Sequence, residues 1–190
     1  NTGTINEDAT LSVSDGASSN DVTPVSIGTA ENINSHEADI TDVIFNRDGS
    51  FAGSWGLNAI ENPHGIFIHD DIVYITDRED SVCLKYTLDG KPLQVIGDRG
   101  VHSDTGCEVP GELVPRAAGP FNYPTELVPS PSGDLYVSDG YRNARVHRFS
   151  SDGQLKSSWG QPGKGGPNEF HLVHSMMVGA DGLLYVCDRE

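Results

Sequence analysis

One phrase of sequence occurs three times, and it limits the folds open to this chain more than any other feature. The phrase places an Asp-Gly pair before a stretch that ends in Gly, at residues 46–56, 87–97 and 150–160. In each copy the Gly of the pair stands seven residues before the terminal Gly. Asp-Gly between apolar runs is a strong β-hairpin signal, because a type I′ turn requires positive φ. We therefore predict three equivalent hairpins.

Two further phrases recur in step with the hairpins. An apolar strand begins at residues 63, 124 and 173, and a Tyr-apolar-small-Asp unit follows each of these strands. These units end at Asp77, Asp139 and Asp188. One repeat thus holds four short strands in about 36–40 residues, which is typical of a β-propeller blade. The alternating apolar pattern and the frequent Gly and Pro exclude helical repeats of similar length. The sequence predicts an all-β propeller with four-stranded blades.

The number of blades is small for a propeller. Residues 62–97 and 121–160 supply two complete blades, whereas residues 39–56 and 170–190 supply two strands each. The sum is about three blades, and propellers have about 4–8. We expect the chain to be a fragment of a six-bladed propeller. The alternative is self-association, in which the terminal half-blades of two copies pair to complete one ring.

Composition changes sharply near residue 45. Residues 1–44 contain no aromatic residue, no Lys and no Arg. A stretch of this kind buries too little apolar surface to offset the entropy lost on ordering. We predict an acidic low-complexity extension or linker over residues 1–38 and a partial propeller over residues 39–190. The alternative is that the extension lends a strand to a neighbouring sheet, because Thr10–Val13 alternates polar and apolar residues.

Charge and cysteine content restrict the partners and the location. The 12 cationic and 28 anionic side chains give a net charge of −16, which argues against nucleic acid and against anionic membrane surfaces. No apolar run is long enough to span a bilayer. No basic-then-apolar leader is present at Asn1, so any signal peptide is already gone or was never included. The leader-free polar tail favours a secreted protein, extracellular or periplasmic. Three cysteines without metal-like spacing, Cys83, Cys107 and Cys187, are expected to be structural, and one disulfide stays open.

The repeat phrases resemble those of NHL-repeat propellers. Within that class, residues 40–190 are most similar to the peptidyl-α-hydroxyglycine α-amidating lyases (peptidylamidoglycolate lyases). The most specific segment is residues 136–160, YVSDGYRNARVHRFSSDGQLKSSWG. The family also shows His, Thr and His at the starts of successive blades. The matching segments here are Pro63-His64-Gly65, Tyr123-Pro124-Thr125, His174-Ser175 and Asp188-Arg189-Glu190.

Two histidines are candidate zinc ligands. His64 and His174 stand at the same blade position, where the first strand lines the central channel of a propeller. A catalytic zinc takes three protein ligands and keeps one open position. The resemblance implies that both histidines bind zinc and that a third histidine comes from a later blade, outside this chain. The alternative is that each imidazole is hydrogen-bonded and structural.

The resemblance implies three further site residues. Tyr141 would take the proton of the substrate hydroxyl, although a phenol is a base only when a nearby cation or metal lowers its pKa. Arg189 would hold the substrate carboxylate, which a guanidinium binds in bidentate fashion. The backbone carbonyl of Ile66 would bind a structural calcium. Alternatively, Tyr141 packs between blades and Arg189 pairs with an acid at a blade edge.

The implied reaction is cleavage of an N-acyl-α-hydroxyglycine, a peptide or small molecule, to an amide and glyoxylate. The chain departs from the family pattern because residues 25–40 contain no Arg, although the family has a catalytic Arg there. With the third histidine also absent, we expect the isolated chain to be inactive. The competing hypothesis is a non-catalytic extracellular NHL propeller that serves as a binding or scaffold module. Its candidate surface is the long insertion between blades, residues 98–120.

Overall fold

The computed structural model describes residues 25–28 and 41–190, and within these ranges the chain forms strands and no helices. The strands are β1 (Val25–Gly28), β2 (Thr41–Phe45), β3 (Phe51–Trp55), β4 (Pro63–His69), β5 (Ile72–Asp77), β6 (Val82–Thr87), β7 (Pro92–Ile96), β8 (Pro124–Pro129), β9 (Leu135–Asp139), β10 (Arg145–Phe149), β11 (Leu155–Trp159), β12 (Gln161–Pro162), β13 (Glu169–Phe170), β14 (Val173–Val178) and β15 (Leu184–Asp188). None of the described segments is a helix that could cross a membrane.

The strands form the blades that the repeats predict. Strands β4–β7 make one four-stranded antiparallel sheet and β8–β11 make another, each in sequential order. We call these the first and the second complete blade. Strands β14 and β15 pair as a half-blade, and the short strands β12 and β13 form a parallel pair before it. The predicted all-β, four-stranded blade architecture is confirmed.

The N-terminal sheet has three strands, one more than the sequence indicated. Strand β1 pairs antiparallel with β2, which places Val25 opposite Ile44, and β3 completes the sheet. Strand β1 therefore lies within the predicted extension, residues 1–38, whose boundary stays a prediction. The alternative strand at Thr10–Val13 falls outside the described residues.

The three Asp-Gly hairpins are present, but the predicted type I′ turn is wrong. In the β6–β7 hairpin the Gly90 N–H donates to the Thr87 carbonyl at 3.0 Å, and Gly90 has φ of +83°. Asp89 has no positive φ; its carboxylate instead accepts a hydrogen bond from the Thr87 hydroxyl. The register shifts at Lys85 and Tyr86. This is a type I turn followed by a left-handed Gly and a β-bulge, which also suits strand twist.

The Asp that ends each Tyr-apolar-small-Asp unit fixes the chain that leads into the first strand of the same blade. The Asp77 carboxylate accepts the backbone N–H groups of Glu61 at 2.7 Å and Asn62 at 2.9 Å. A buried carboxylate that accepts two N–H groups satisfies donors that no strand partner reaches. Equivalent bonds join Asp139 to Asn122 and Asp188 to Leu172.

The apolar core lies within the first complete blade and between successive blades. Phe121, Leu127 and Val137 of the second blade pack against Tyr74 and Ile96 of the first. Burial of this apolar surface supplies most of the stabilisation that holds neighbouring blades together. Among the cysteines, the first two in the chain are buried and the third is exposed. All three are free thiols, so the disulfide that the sequence left open is absent from the described residues.

Candidate functional site

The first strands of three successive blades lie side by side, with β8 between β4 and β14. Thr125, at the start of β8, joins them. Its carbonyl accepts a hydrogen bond from the Thr76 hydroxyl at 3.0 Å, and its own hydroxyl donates to the Val173 carbonyl at 2.9 Å. These hydrogen bonds fix the spacing of the residues at the starts of β4, β8 and β14. His64 and His174, which follow Pro63 and Val173, are thereby brought to the same side.

Tyr141 lies between the two histidines. Its hydroxyl oxygen is 3.2 Å from Nε2 of His64 and 3.1 Å from Nε2 of His174. The two imidazole rings face each other edge to face, with centroids 5.0 Å apart. The structure thus brings together three of the predicted site residues from three different blades. Since both Nε2 atoms point at one oxygen, they converge on a single place.

The tautomers of the two histidines follow from their partners. Nδ1 of His64 is 2.8 Å from the Thr125 carbonyl, which only accepts, so Nδ1 carries the proton and Nε2 presents a lone pair. The Tyr141 hydroxyl therefore donates to His64. The phenolic oxygen then accepts from Nε2 of His174. Fixing one ring nitrogen by a backbone carbonyl, so that the other is free to bind, is typical of histidines that hold metals.

Burial keeps both imidazoles neutral near pH 7. It lowers the pKa of His64 from 6.5 to about 4, against a smaller opposing effect of the hydrogen bond to Thr125. The positive charges of Arg78 and Arg189 lower the pKa of His64 further. Burial also lowers the pKa of His174, with a contribution from Arg189. Neutral imidazole is the form that binds a metal ion.

Two guanidinium groups flank the Tyr141 ring. The predicted site residue Arg189 lies with its guanidinium carbon 5.6 Å from the ring centroid, and its Nη1 is 3.5 Å from the hydroxyl. Arg78, which the sequence did not assign to the site, lies at 5.4 Å. Each distance falls within the range of cation–π attraction. The site therefore presents two cations beside two neutral imidazoles and a phenol.

The signal for Arg78 was present in the sequence. It stands directly after Asp77, as Arg189 stands directly after Asp188, so the two arginines occupy the same turn of their blades. Repeat position alone would have placed both at one end of the propeller. The resemblance assigned a role only to Arg189, because the family pattern has no counterpart for Arg78.

The insertion at residues 98–120 supports the turn that carries Tyr141. The Gly111 N–H donates to the Tyr141 carbonyl at 2.7 Å, and the Thr105 hydroxyl donates to the Arg142 carbonyl at 2.6 Å. Arg142 donates in return to the Cys107 carbonyl, at 2.9 Å from Nε and 2.6 Å from Nη2. The loop is thus hydrogen-bonded to both Tyr141 and Arg142. Its predicted role as a partner surface stays a prediction.

Gly140 lets the Tyr141 turn approach the half-blade. A Cβ atom built on Gly140 would lie 1.9 Å from the Val173 carbonyl oxygen, well inside the closest contact that real Cβ atoms make. Only glycine fits between these two backbones. The Gly of the Asp139-Gly140-Tyr141 phrase is therefore a requirement of packing, and it fixes how far Tyr141 stands from His174.

The residues present suit a metal ion as two of its ligands. Their Nε2 atoms converge, both rings are neutral and the tautomer of His64 is set by Thr125; His174 would bind a metal as its other tautomer, with the proton on Nδ1. No group of three His, Cys, Asp or Glu side chains suited to a metal occurs in the described part of the chain. The predicted third ligand is thus not found among these residues. Ile66 lies buried in β4 opposite Ile75, and the calcium at its carbonyl stays a prediction.

The remaining histidines lack a matched blade position, so a structural or exposed role is expected for them. His69 is exposed beside Asp70, and His102 is 2.7 Å from the Ser81 hydroxyl. His147 and His171 are both buried, away from the site, and His36 falls outside the described residues. None of the described ones lies between the converging imidazoles.

Curated proteins of similar sequence fall into two groups. The chain is 30% identical over 157 residues to NHL repeat-containing protein 3 of Homo sapiens, covering 77% of this chain and 42% of that protein. It is 30% identical over 154 residues to peptidyl-alpha-hydroxyglycine alpha-amidating lyase 1 of Drosophila melanogaster, covering 75% of this chain and 26% of that protein. It is also 33% identical over 162 residues to the peptidyl-glycine alpha-amidating monooxygenase of Mus musculus, covering 81% and 15%. The chain thus spans less than half the length of these relatives.

Solved structures confirm the fold. A catalytically inactive virginiamycin B lyase from Staphylococcus aureus, solved with quinupristin, aligns with a TM-score of 0.58 at 16% identity, over 96% of this chain and 50% of that one. A luciferin-regenerating enzyme aligns with a TM-score of 0.50 at 17% identity, over 86% of this chain and 48% of that one. At these identities the likeness concerns the fold alone. No protein-family model matches the chain.

The blades and their sequence relatives define the class: the chain is part of a β-propeller built from NHL-type four-stranded blades. Within this class it is related to the peptidyl-α-hydroxyglycine α-amidating lyases, at about 30% identity over three quarters of its length. The resemblance stated from the repeat phrases is therefore confirmed.

Proposed function

We propose that this chain carries part of the active site of a zinc-dependent lyase that cleaves N-acyl-α-hydroxyglycine to an amide and glyoxylate. The observation that supports it most is the convergence of His64 and His174 on the Tyr141 hydroxyl, at 3.2 and 3.1 Å. The relationship to amidating lyases supplies the reaction class. We further propose that the catalytically complete protein contains additional blades, one of which supplies the third zinc ligand.

In this mechanism the histidines hold the metal and the phenol moves the proton. Bound zinc would supply Lewis acidity to the substrate hydroxyl. Tyr141, as the phenolate, would accept the hydroxyl proton while a C=O bond forms at the α-carbon and the C–N bond breaks. The phenol would then return this proton to the amide nitrogen, so the products are a primary amide and glyoxylate. Arg189 and Arg78, each within 6 Å of the Tyr141 ring centroid, would stabilise negative charge on the phenolic oxygen, and Arg189 would hold the substrate carboxylate.

Zinc titration tests the metal site. Isothermal titration of the metal-free chain with zinc chloride is expected to show one bound ion, and the His64→Ala, His174→Ala double variant should weaken binding at least tenfold. His69→Ala is the matched control, because His69 is exposed on the same strand as His64. Equal zinc affinity in the wild type and the double variant would overturn the metal site.

Glyoxylate release tests the reaction. It is measured with N-benzoyl-α-hydroxyglycine and zinc on the full-length protein that carries these residues. We expect release that falls at least a hundredfold in Tyr141→Phe, because general base catalysis contributes about 10²–10⁴ in rate. Tyr185→Phe, which alters an exposed tyrosine of the half-blade, should leave the rate unchanged. A zinc-loaded protein that releases no glyoxylate would overturn the proposed reaction.

A second candidate function is a non-catalytic binding module. It is favoured by the match to NHL repeat-containing protein 3, which is as close as the match to the lyase. The insertion also exposes three apolar side chains, Val101, Val109 and Leu113. The zinc titration separates the two functions, since a binding module needs no metal at His64 and His174.

A further inference from the structure

We infer that Arg78 is a second carboxylate-binding residue of the site, acting with Arg189 on the free carboxylate of an N-acylglycine-type ligand. The inference rests on the proposed function for the identity of the ligand, but its geometry is independent of zinc. It names a residue outside the set that the family pattern assigns.

The first argument is the arrangement of three equivalent turns. The residues that directly follow the three Tyr-apolar-small-Asp units include Arg78, Tyr141 and Arg189, in successive blades. The Tyr141 turn belongs to the middle blade. Both arginines reach its ring, with guanidinium carbons at 5.4 and 5.6 Å from the centroid. Each neighbouring blade thus places one cation beside the phenol ring of Tyr141.

The second argument is the hydrogen bonding of Arg78. Its Nη2 donates to the Glu79 carboxylate at 3.0 Å, whereas its Nε–H finds no hydrogen-bond partner among the described residues. The fold therefore leaves part of the donor capacity of this guanidinium unused. The side chain keeps 28% of its surface exposed, so a ligand can reach the guanidinium.

The third argument is that Arg78 is held in place before any ligand arrives. Glu79 binds the guanidinium and also accepts a hydrogen bond from the Tyr123 hydroxyl. The Tyr123 ring lies 5.7 Å from the Arg78 guanidinium carbon and 5.0 Å from that of Arg142. A guanidinium fixed in this way loses little conformational entropy on binding a carboxylate.

The ligand chemistry follows from the charges around Tyr141. The two arginines are cations whose carboxylate partners, Glu79 and Glu190, are their chain neighbours. An anion of the size of a carboxylate would complete the hydrogen bonding of both guanidinium groups. An amide of the same shape would not, because it lacks the charge.

Equilibrium binding of two probes tests the inference. N-benzoylglycine carries the carboxylate and lacks the reactive hydroxyl, and N-benzoylglycinamide is its neutral counterpart. For the chain at pH 7.5 and low salt, we expect the acid to bind at least tenfold more tightly than the amide. Arg78→Gln should weaken binding of the acid about tenfold or more and leave that of the amide unchanged, since a charged hydrogen bond is lost. Arg78→Lys should lose less affinity for the acid than Arg78→Gln.

Two controls separate binding from support of the fold. Arg99→Gln removes an exposed arginine whose ion pair is with Asp80, and it should change neither affinity. Glu79→Gln breaks the ion pair but keeps the guanidinium, and it should retain the preference for the acid. Thermal unfolding confirms that each variant is folded.

Three results would overturn the inference. These are no preference for the acid in the wild type, an unchanged preference in Arg78→Gln, and an equal loss in Glu79→Gln and Arg78→Gln. Failure of the proposed function is distinguishable from all of these. A preference for the acid that depends on Arg78, in a protein that neither binds zinc nor releases glyoxylate, would keep this inference and reject the lyase.

Discussion

The two complete blades share a scaffold and differ in the residues they bring to the site. In both, an Asp at the end of the second strand accepts the backbone N–H that leads into the first strand: Asp77 from Asn62, and Asp139 from Asn122. The first strand then begins with His64 in one blade and, at the matching place, with Thr125 in the other.

The turns after the two aspartates differ in the same way. Arg78 follows Asp77, whereas Gly140 and Tyr141 follow Asp139. The Asp that both complete blades share therefore satisfies backbone groups and builds the blade, whereas the positions at which these two blades differ hold residues of the site. This difference teaches that, in a repeat protein, departures from the repeat at equivalent positions are the first candidates for function.

The largest expected effect on stability concerns the aspartates that end the second strand of each complete blade. Asp139 accepts hydrogen bonds from the Asn122 N–H, Asn143 and His147, all of them buried, so Asp139→Ala leaves several donors unpaired. We expect a loss of about 3–5 kcal/mol in the free energy of unfolding. Asp77→Ala should cost about 2–3 kcal/mol, because it orphans mainly backbone N–H groups. Urea unfolding measures both values, and an equal or reversed order would break the comparison.

Next in size is the close approach of the second blade to the half-blade. Gly140→Ala places a methyl group against the Val173 carbonyl, and we expect it to cost about 3 kcal/mol, at the upper end of overpacking effects. Gly53→Ala is the control, because no atom lies within 4 Å of the added methyl group. A cost for Gly140→Ala below about 1 kcal/mol, by urea unfolding, would show that the backbones separate easily.

His64 and Thr125 occupy matching positions in the two complete blades, but only His64 titrates. The pH dependence of stability should therefore reveal the contribution of His64. The folded-state pKa of His64 is about 4 and its ordinary value is 6.5. Between these values the unfolded state binds more protons, so the metal-free fold loses stability as pH falls from 6.5 to 4. The loss is about 2–3 kcal/mol from this residue.

His64→Gln should remove that part of the pH dependence. Urea unfolding of the metal-free wild type and variant at pH 7 and pH 4 gives the difference, in which the acidic residues common to both cancel. Parallel stability curves for the two proteins would contradict the depressed pKa of His64.

The smallest expected effect on stability is that of the bridging phenol. Tyr141→Phe removes the hydroxyl that joins the two imidazoles and should cost about 1 kcal/mol. Tyr185→Phe, in an exposed pair with Asp181, should change stability by less than about 0.5 kcal/mol. Thermal unfolding of the metal-free proteins compares them. Equal effects would mean that the phenol does not hold the blades together.

The repeat phrases were enough to predict the blades, because strand period and hairpin signals are local. They did not predict the turn type at Asp89-Gly90, since a left-handed Gly suits both a type I′ turn and a type I turn with a bulge. The extra strand Val25–Gly28 lies in a stretch of polar composition that carries no hairpin signal towards its partner β2.

The site was predictable where a repeat position could be compared between blades. His64 and His174 share such a position, and the structure brings them together. The bridging hydrogen bonds of Tyr141 could not be predicted, because they depend on how Gly140 packs against Val173. Arg78 shares the Asp-Arg-Glu phrase of Arg189, but it was given no role in the site because the family pattern assigns none at its blade.

The most direct test of the account is the position of zinc in a crystal of this chain grown with zinc chloride, located by anomalous diffraction at the zinc edge. The account predicts one strong peak about 2.0–2.1 Å from Nε2 of both His64 and His174. A zinc peak at other residues, with these two imidazoles still bonded only to Tyr141, would contradict it.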